Sequence, residues 1–416
     1  MDTASRVRWS LLALLVVSIF INFIDRSNLS IAVTDIQKEL SLDDRQVGLL
    51  LSGFFWTYAL CQIAAGWLVD RYDAYRVYAA GFLVWSAATA LTGFAAGFGV
   101  LFGLRLVLGA GESVAYPAYS RMIADDFPER RRGLANALLD AGSKAGPAVG
   151  TLIGGLIVAR WGWRPLFLAL GFGALAWLVP WVLAIPRGTV SARRANRLAR
   201  PAGPGFMEIA SKRDAWGTFL VLFGGNYAWF FILTWLPAYL ERERGFSKQQ
   251  TAIFGSLPFW GLAAMAVVAG WASDRLIANG HGVSRVRKTF AVAGLLTTTL
   301  ILPASMIGNH GMAMLLLTVG CLSYGLYSSN VWAITQTLAG PAAGKWTGMQ
   351  NCAGNLAGVA APYATGLIKY HTGHFFLAFV AVCFWLVVAA CSFLFIVGRV
   401  EPVHWRNAAP RPVAFG

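Results

Sequence analysis

The chain carries one short motif twice, first as Gly66-Trp67-Leu68-Val69-Asp70-Arg71 and then as Gly270-Trp271-Ala272-Ser273-Asp274-Arg275. The second copy begins 204 residues after the first, and each copy ends a long apolar segment. Glycine allows two helices to approach closely, and an Asp beside an Arg can form an ion pair across a helix end. The recurrence at matching places predicts that the chain consists of two related halves.

Apolar segments long enough to cross a membrane surround both copies of the motif. They run near residues 10–36, 47–70, 75–97, 99–123, 133–159, 163–185, 215–241, 248–273, 288–308, 311–338, 346–369 and 374–398. Hydrophobic residues make up 57% of the chain and charged residues only 13%, so most of the surface must face lipid rather than water. The alternating pattern of a transmembrane barrel is absent. We therefore predict an all-α membrane protein of twelve transmembrane helices in two six-helix bundles.

Polar and basic sequence at 186–214 separates the two predicted bundles, 1–185 and 215–416, and we expect it to be a cytoplasmic linker beside anionic lipid headgroups. Most of the 34 Lys and Arg residues fall on the side of the membrane that holds the amino terminus. This bias places both termini in the cytoplasm and accounts for the net charge of +15 without nucleic acid as a partner. The five cysteines lie in apolar segments and have neither metal-ligand spacing nor a disulfide pattern.

Ionisable residues deep in the predicted helices occur only in the first half, and such residues are functional candidates by default. They are Asp25, Arg26, Arg105, Glu112, Asp140 and Lys144. Arg105 and Glu112 are close to two helical turns apart, which places them on one face about 10 Å apart in depth. Burial favours a neutral carboxyl group, whereas a nearby guanidinium favours the ionised form. An anion that binds the arginines could thus release Glu112 to take up a proton; the alternative is a static ion pair that locks the bundle.

Asp140 and Lys144 have the spacing and order of a helical ion pair. The pair either neutralises itself or leaves Lys144 able to contact an anionic substrate. Further candidates are polar and aromatic residues in otherwise apolar helices, which bind hydroxyl groups or hold helices together. These candidates are Tyr58, Ser143, Ser328, Trp332, Asn351 and Asn355.

Several of these stretches resemble the major facilitator superfamily. The resemblance rests on the loop signature formed by Gly66, Asp70, Arg71 and Arg76, on the fourth helix with Arg105, Gly109 and Gly111, and on the glycine-rich fifth helix. Tyr72 departs from the loop signature, in which a glycine is usual. The resemblance implies two six-helix bundles around a central cavity that work by alternating access. It also implies that Gly66, Asp70 and Arg71, with Gly270, Asp274 and Arg275, form structural gating motifs.

The run from Asn22 to Ser30, with the spacing from Arg105 to Glu112, resembles the anion:cation symporter family. That family includes bacterial galactonate, glucarate and hexuronate carriers. The resemblance implies that Arg26 and Arg105 hold a substrate carboxylate, that Asp25 and Glu112 are linked to protons, and that Tyr58 contacts substrate. Ser143 and Lys144 stand where sugar-acid carriers can have a neutral side chain, which leaves the exact substrate open.

The combined expectation is a proton-coupled importer of a small organic anion, with a sugar acid (aldonate, aldarate or hexuronate) as the preferred substrate. The chain would be a monomer in the lipid bilayer of a bacterial inner membrane, without a cofactor, metal or enzymatic activity. The glycine-rich runs lack the Gly-Lys-Ser/Thr of a phosphate loop. The alternatives are an importer of a small monocarboxylate or an aromatic acid, a drug/proton antiporter, and a sensor that does not transport.

Overall fold

The computed structural model describes residues 3–126, 129–184 and 204–405, and regular structure in these ranges is helical. The first half contains α1 (Thr3–Glu39), α2 (Asp44–Arg71), α3 (Ala74–Thr92), α4 (Phe98–Glu112), α5 (Ala115–Asp126), α6 (Glu129–Val149), α7 (Gly155–Trp161) and α8 (Trp163–Ala184). The second half contains α9 (Phe206–Ala210), α10 (Arg213–Arg242), α11 (Lys248–Ala278), α12 (Val283–Thr298), α13 (Ile301–Met306), α14 (His310–Ala339), α15 (Ala343–Thr372) and α16 (Phe376–Cys391).

These helices form the twelve predicted spans, so the predicted fold class is confirmed. Three spans are built from two consecutive helices each, namely α4 with α5, α6 with α7, and α12 with α13. Within the described residues, eight of the spans are long and apolar enough to cross a membrane, judged by length and composition. The first helix begins at Thr3 rather than near residue 10, and α10 begins at Arg213 rather than at 215. Most of the predicted linker, 186–203, lies outside the described residues.

The fourth span is interrupted where the sequence predicts one continuous helix over 99–123. Its first part, α4, ends at Glu112, and α5 begins at Ala115. Pro117 has no backbone N–H to donate to the Ser113 carbonyl, and its ring crowds that carbonyl, so the helical ladder stops there. The break lies directly after Glu112, in the middle of the span.

The fifth span packs against α1 through glycines spaced one turn apart. A Cβ atom on Gly146 would lie 2.7 Å from Phe23 Cβ and 2.8 Å from the Phe20 carbonyl oxygen, and one on Gly150 would lie 2.6 Å from Ser27 Oγ. Only glycine permits this approach of two helix backbones. The contact holds the middle of α1, with Asp25 and Arg26, inside the first bundle.

The two halves meet at the end of the molecule where α1 ends and α2 begins, here called the far end. There Arg242 donates to Asp44 at 2.7 Å, and Lys248 pairs with Asp35. Thr34 donates to Glu241 at 2.5 Å. Further along α2, the rings of Phe55 and Phe230 are 4.4 Å apart. These contacts join the two halves from the far end inward to the level of Phe55.

The repeated motif lies at the opposite end, here called the terminal end, where α2 ends and α3 begins. No described atom lies within 4 Å of a Cβ built on Gly66, so this glycine makes no close helix contact in this conformation. Arg71 lies over the Trp67 ring at 5.3 Å, and Arg275 lies over Trp271 at 5.4 Å, so both copies share one local arrangement.

The acidic residue of the second copy has a partner on the next span. Asp274 accepts from Arg287 of α12 at 2.7 Å, rather than pairing with its neighbour Arg275. Arg287 also donates to Asn330 of α14 at 3.0 Å. Arg287, through Asp274 and Asn330, thus joins three helices of the second half. The side chain of Asp70, in the first copy, lies outside the described side chains.

Candidate functional site

An ion pair between α1 and α4 forms the centre of the candidate site. Arg26 Nε donates to Glu112 Oε2 at 3.0 Å, and the side chains are 5% and 0% exposed. Glu112 is the last residue of α4, immediately before the break caused by Pro117. The sequence places Glu112 on one face with Arg105 without naming its partner, and the structure pairs it with Arg26. The pair therefore links two helices rather than neutralising charge within one.

Aromatic rings surround the Arg26 guanidinium. Its Cζ lies 4.7 Å from the ring centre of Phe23, 5.1 Å from that of Phe54 and 4.6 Å from that of Tyr58. The Cζ of Arg105 lies 5.4 Å from the same Phe54 ring, so both cations share one aromatic neighbour on α2. Cation–π contacts stabilise a guanidinium without neutralising it. Both arginines can therefore still bind an anion.

A row of polar side chains on α1 continues the site. Asn28 Nδ2 donates to Asp25 Oδ1 at 3.1 Å, and both residues are buried. Asn22 is fully buried one turn earlier. Residues 22, 25 and 28 recur every three positions and so lie along one side of a helix. Our site prediction omitted both asparagines, although this spacing of amides in an apolar helix is visible in the sequence.

Many polar atoms in this region have no hydrogen-bond partner among the described protein atoms. They are both side-chain polar atoms of Asn22, Asp25 Oδ2, Arg26 Nη2, Asn28 Oδ1, Arg105 Nε and Glu112 Oε1. Each buried polar atom without a partner destabilises the fold by about 1–3 kcal/mol. A concentration of such atoms at one place is therefore typical of a site that binds a polar ligand.

The fifth span contributes an ion pair close to its own backbone. Lys144 Nζ pairs with Asp140, and the Asp140 side chain is 62% exposed. Ser143 Oγ donates to the Asp140 carbonyl oxygen at 2.7 Å. Both of these candidate substrate ligands are thus engaged within α6. The geometry is that of the self-neutralised pair, one of the two alternatives that the spacing allows.

Candidate residues of α15 lie level with the part of α2 that surrounds Arg26. Across the interface between α2 and α15, Gly48 lies opposite Gly366, and a Cβ on Gly358 would contact the Phe55 ring. The two helices run in opposite directions, so one turn beyond Phe55 brings Tyr58 level with Asn355. Asn351 follows one turn later, toward the terminal end.

The remaining two candidates lie on α14. Ser328 Oγ donates to the Gly325 carbonyl oxygen at 3.4 Å, and Trp332 is half-buried one turn further along the helix. Tyr324, one turn before Ser328, stacks on Trp229 with ring centres 6.4 Å apart. Trp229 adjoins Phe230, which contacts Phe55 across the interface. Ser328 therefore lies about one turn beyond these ring contacts, on the side of the terminal end.

Comparisons with known proteins agree with this architecture. The D-galactonate transporter of Escherichia coli O6:H1 is 29% identical, over 96% of this chain and 97% of its own. A probable sulfoacetate transporter of Cupriavidus necator is 30% identical, over 94% of each chain. A probable galactarate/D-glucarate transporter of Escherichia coli K12 is 28% identical, over 95% of each chain.

Solved structures show the same fold. A bacterial homologue of the human lysosomal transporter Spinster, in an inward-facing and occupied conformation, superposes with a TM-score of 0.79 at 18% identity, over 94% of this chain and 96% of its own. The D-xylose–proton symporter superposes with a TM-score of 0.77 at 14% identity, over 94% and 98%. Residues 15–362 match the Major Facilitator Superfamily. The chain is an integral, multi-pass membrane protein that belongs to the major facilitator superfamily and, within it, to the anion transporters.

Proposed function

We propose that this protein is a proton-coupled symporter that imports an organic anion, with a sugar acid as its preferred substrate. The observation that carries the proposal is the buried ion pair of Arg26 and Glu112. Each of these side chains also has a polar atom without a hydrogen-bond partner among the described protein atoms. Arg105 contacts the same Phe54 ring as Arg26 and supplies a second cation. The D-galactonate transporter, aligned over nearly the whole chain, supports a sugar acid as substrate.

Exchange of carboxylate partners at Arg26 would couple transport of the substrate to transport of a proton. A substrate carboxylate at Arg26 and Arg105 competes with Glu112 for the Arg26 guanidinium. A carboxylate that loses its cation in a buried site becomes much less stable in the ionised form. Glu112 then takes up a proton, which offsets the substrate's negative charge. Asp25, with one oxygen held by Asn28, is a second proton acceptor in the same region.

The proposed orientation places both termini in the cytoplasm of a bacterial cell, with the far end facing outward. The contacts at Asp44–Arg242 and Asp35–Lys248 then make this conformation closed to the outside. Transport requires these contacts to separate while the repeated motifs at the terminal end approach each other. The functional unit in this proposal is the monomer, since the proposed site residues all belong to one chain.

Uptake of labelled D-galactonate into proteoliposomes tests the proposal. We expect accumulation when the outside is acidic, collapse of accumulation with a protonophore, and loss with Arg105→Ala. Arg160→Ala is the matched control, because Arg160 lies on α7, away from the candidate site, and its described ring contact is with its neighbour Trp161. Accumulation that ignores the proton gradient would reject coupling by protons. Proton-driven export of a cationic drug, without uptake of any acid, would favour an antiporter instead.

A second candidate function is import of a smaller anion. The probable sulfoacetate transporter is 30% identical over 94% of the chain, so it is as similar as the sugar-acid relatives. The same two arginines suit a sulfonate as well as a carboxylate. Competition by sulfoacetate, without competition by any six-carbon acid, would favour this function over the first.

A further inference from the structure

Charge is distributed unequally between the two walls of the candidate site. Within residues 204–405, the charged side chains lie near helix ends, and α14 carries none over its whole length. In α15 the charged positions Lys345 and Lys369 stand close to opposite ends of the helix. The described middle of the second half therefore offers mainly amides, hydroxyl groups and aromatic rings. The one guanidinium described above that reaches α14, that of Arg287 at Asn330, is already paired with Asp274.

The neutral wall, here Asn351 and Asn355 of α15, begins at the level of Arg26. The register of α2 against α15 places Asn355 level with Tyr58, whose ring is 4.6 Å from the Arg26 Cζ. Asn355 Nδ2 donates to the Asn351 carbonyl oxygen at 2.8 Å, and Asn351 is half-buried. A ligand that reaches from Arg26 across the interface therefore meets neutral hydrogen-bonding groups.

Among the described residues, Lys144 of α6 is a further cation of the first half, and it already has a counter-charge. Asp140 pairs with it from the same helix. The four buried charges of Asp25, Arg26, Arg105 and Glu112 sum to zero, so they provide no excess positive charge either. One substrate carboxylate is balanced by one proton on Glu112, and a second proton on Asp25 would balance a second carboxylate in net charge only, since Asp25 lies on α1 and not on the second-half wall. A second carboxylate would need its own cation.

We propose that the substrate is a monocarboxylate whose other end is uncharged and hydroxylated, an aldonate or a hexuronate rather than an aldarate. This inference rests on the proposed function and narrows its substrate. In a six-carbon acid the two ends are on the order of 6 Å apart, so a second carboxylate would contact the neutral wall. An anion buried there without a cation or sufficient hydrogen bonds is strongly disfavoured. Relatives named for galactonate and for galactarate match the chain about equally, so similarity alone does not make this distinction.

Galactonate and galactarate form a matched pair for the test, because they share six carbons and differ at one end, an alcohol or a carboxylate. Binding of each is measured as competition with labelled D-galactonate in proteoliposomes and as thermal stabilisation of the purified protein. We expect galactarate to bind at least about ten-fold more weakly. Equal or tighter binding of galactarate would overturn the inference and leave the proposed import of sugar acids intact.

A designed cation on the neutral wall provides the converse test. Asn351→Lys should strengthen galactarate relative to galactonate, whereas the neutral control Asn351→Gln should leave the ratio unchanged. Lys144→Gln should also leave the ratio unchanged if Asp140 fully neutralises Lys144. A selective loss of galactarate binding in Lys144→Gln would identify Lys144 as the cation for a second carboxylate and reject the inference.

The two proposals fail in different ways. If smaller acids bind and six-carbon acids do not, the comparison is repeated with lactate against malonate, and preference for the diacid overturns the inference. If no acid of either kind binds the folded protein, the proposed function and this inference are both rejected. Preference for a monoacid in whichever pair binds is the only result that supports the inference.

Discussion

The residue that most constrains the site is Arg26. Its Nε atom donates to Glu112, its guanidinium lies against three aromatic rings, and its Nη2 atom has no partner among the described protein atoms. A buried ion pair contributes little net stability over an apolar pair, but removal of one member leaves an uncompensated charge. Substitutions at this pair should therefore affect proton-coupled transport and the stability of the protein to different extents.

The substitution Glu112→Gln is expected to separate coupling from binding. The glutamine carbonyl oxygen can still accept from Arg26 Nε, so the protein should fold, but the side chain takes up no proton. Accumulation of D-galactonate driven by a proton gradient should fall at least about ten-fold, while exchange of external for internal galactonate continues. Gradient-driven accumulation at the wild-type level in Glu112→Gln would remove Glu112 from the coupling mechanism.

The substitution Arg26→Ala is expected to destabilise the protein by about 3–5 kcal/mol, because it leaves the Glu112 charge buried without a cation. The double variant Arg26→Ala/Glu112→Gln should recover part of this loss, since no buried charge remains at that position. Thermal unfolding in detergent measures both variants. A double variant no more stable than Arg26→Ala alone would show that the aromatic contacts of Arg26, not its charge, dominate its contribution.

At the scale of elements, proline and glycine determine how the helices present the site. Pro117 ends α4 at Glu112, and the glycines of α6 bring that helix against the backbone of α1. Gly109 plays the same part between α4 and α2, since a Cβ there would lie 2.5 Å from Thr57 Oγ1 and would collide with the Phe54 carbonyl oxygen. Helix α4 carries both Arg105 and Glu112, so this contact controls the depth of both.

We expect Gly109→Ala to destabilise the protein by about 1–3 kcal/mol, because the added methyl group forces α4 away from α2. Galactonate affinity should fall as well, since Arg105 and Phe54 move apart. Gly103→Ala is the control, because Gly103 lies on the same helix and a Cβ there meets no described atom within 4 Å. Equal effects of the two substitutions on thermal stability would indicate a general helix effect rather than this contact.

At the scale of the whole molecule, the halves are held together at one end by polar pairs. Asp44–Arg242, Asp35–Lys248 and the Thr34–Glu241 hydrogen bond all join the first half to the second. The members of the Asp44–Arg242 pair are each about one fifth exposed, at 22% and 19%. Such pairs contribute on the order of 1 kcal/mol, which is sufficient to hold one conformation and still allow another.

Arg242→Gln should increase the population that is open at the far end about five-fold, as expected for a loss of about 1 kcal/mol. Spin labels at Arg45→Cys and Gln249→Cys, exposed residues of opposite halves at this end, would report it in a variant without native cysteines. The distance distribution should gain a longer component. An unchanged distribution in Arg242→Gln would show that the apolar contacts, such as Phe55 against Phe230, hold the far end closed.

The sequence by itself determined the fold class, because long apolar segments have few ways to satisfy their backbone in lipid. The repeated motif at 66–71 and 270–275 also marked two halves, and the helix boundaries agree within a few residues for most spans. The sequence further indicated that deep charges belong to the first half. These properties depend on composition and local periodicity.

Only the tertiary structure decided which charges meet. Spacing placed Glu112 on one face of a helix with Arg105, about two turns away, and the packing of α1 against the first bundle then brings Arg26 to Glu112. The register of α2 against α15, which places Asn355 level with Tyr58, likewise depends on contacts between residues about 300 positions apart. Partners across helices are fixed by side-chain packing, which local periodicity does not encode. The roles of the individual site residues therefore stay predictions, and the variants above test them.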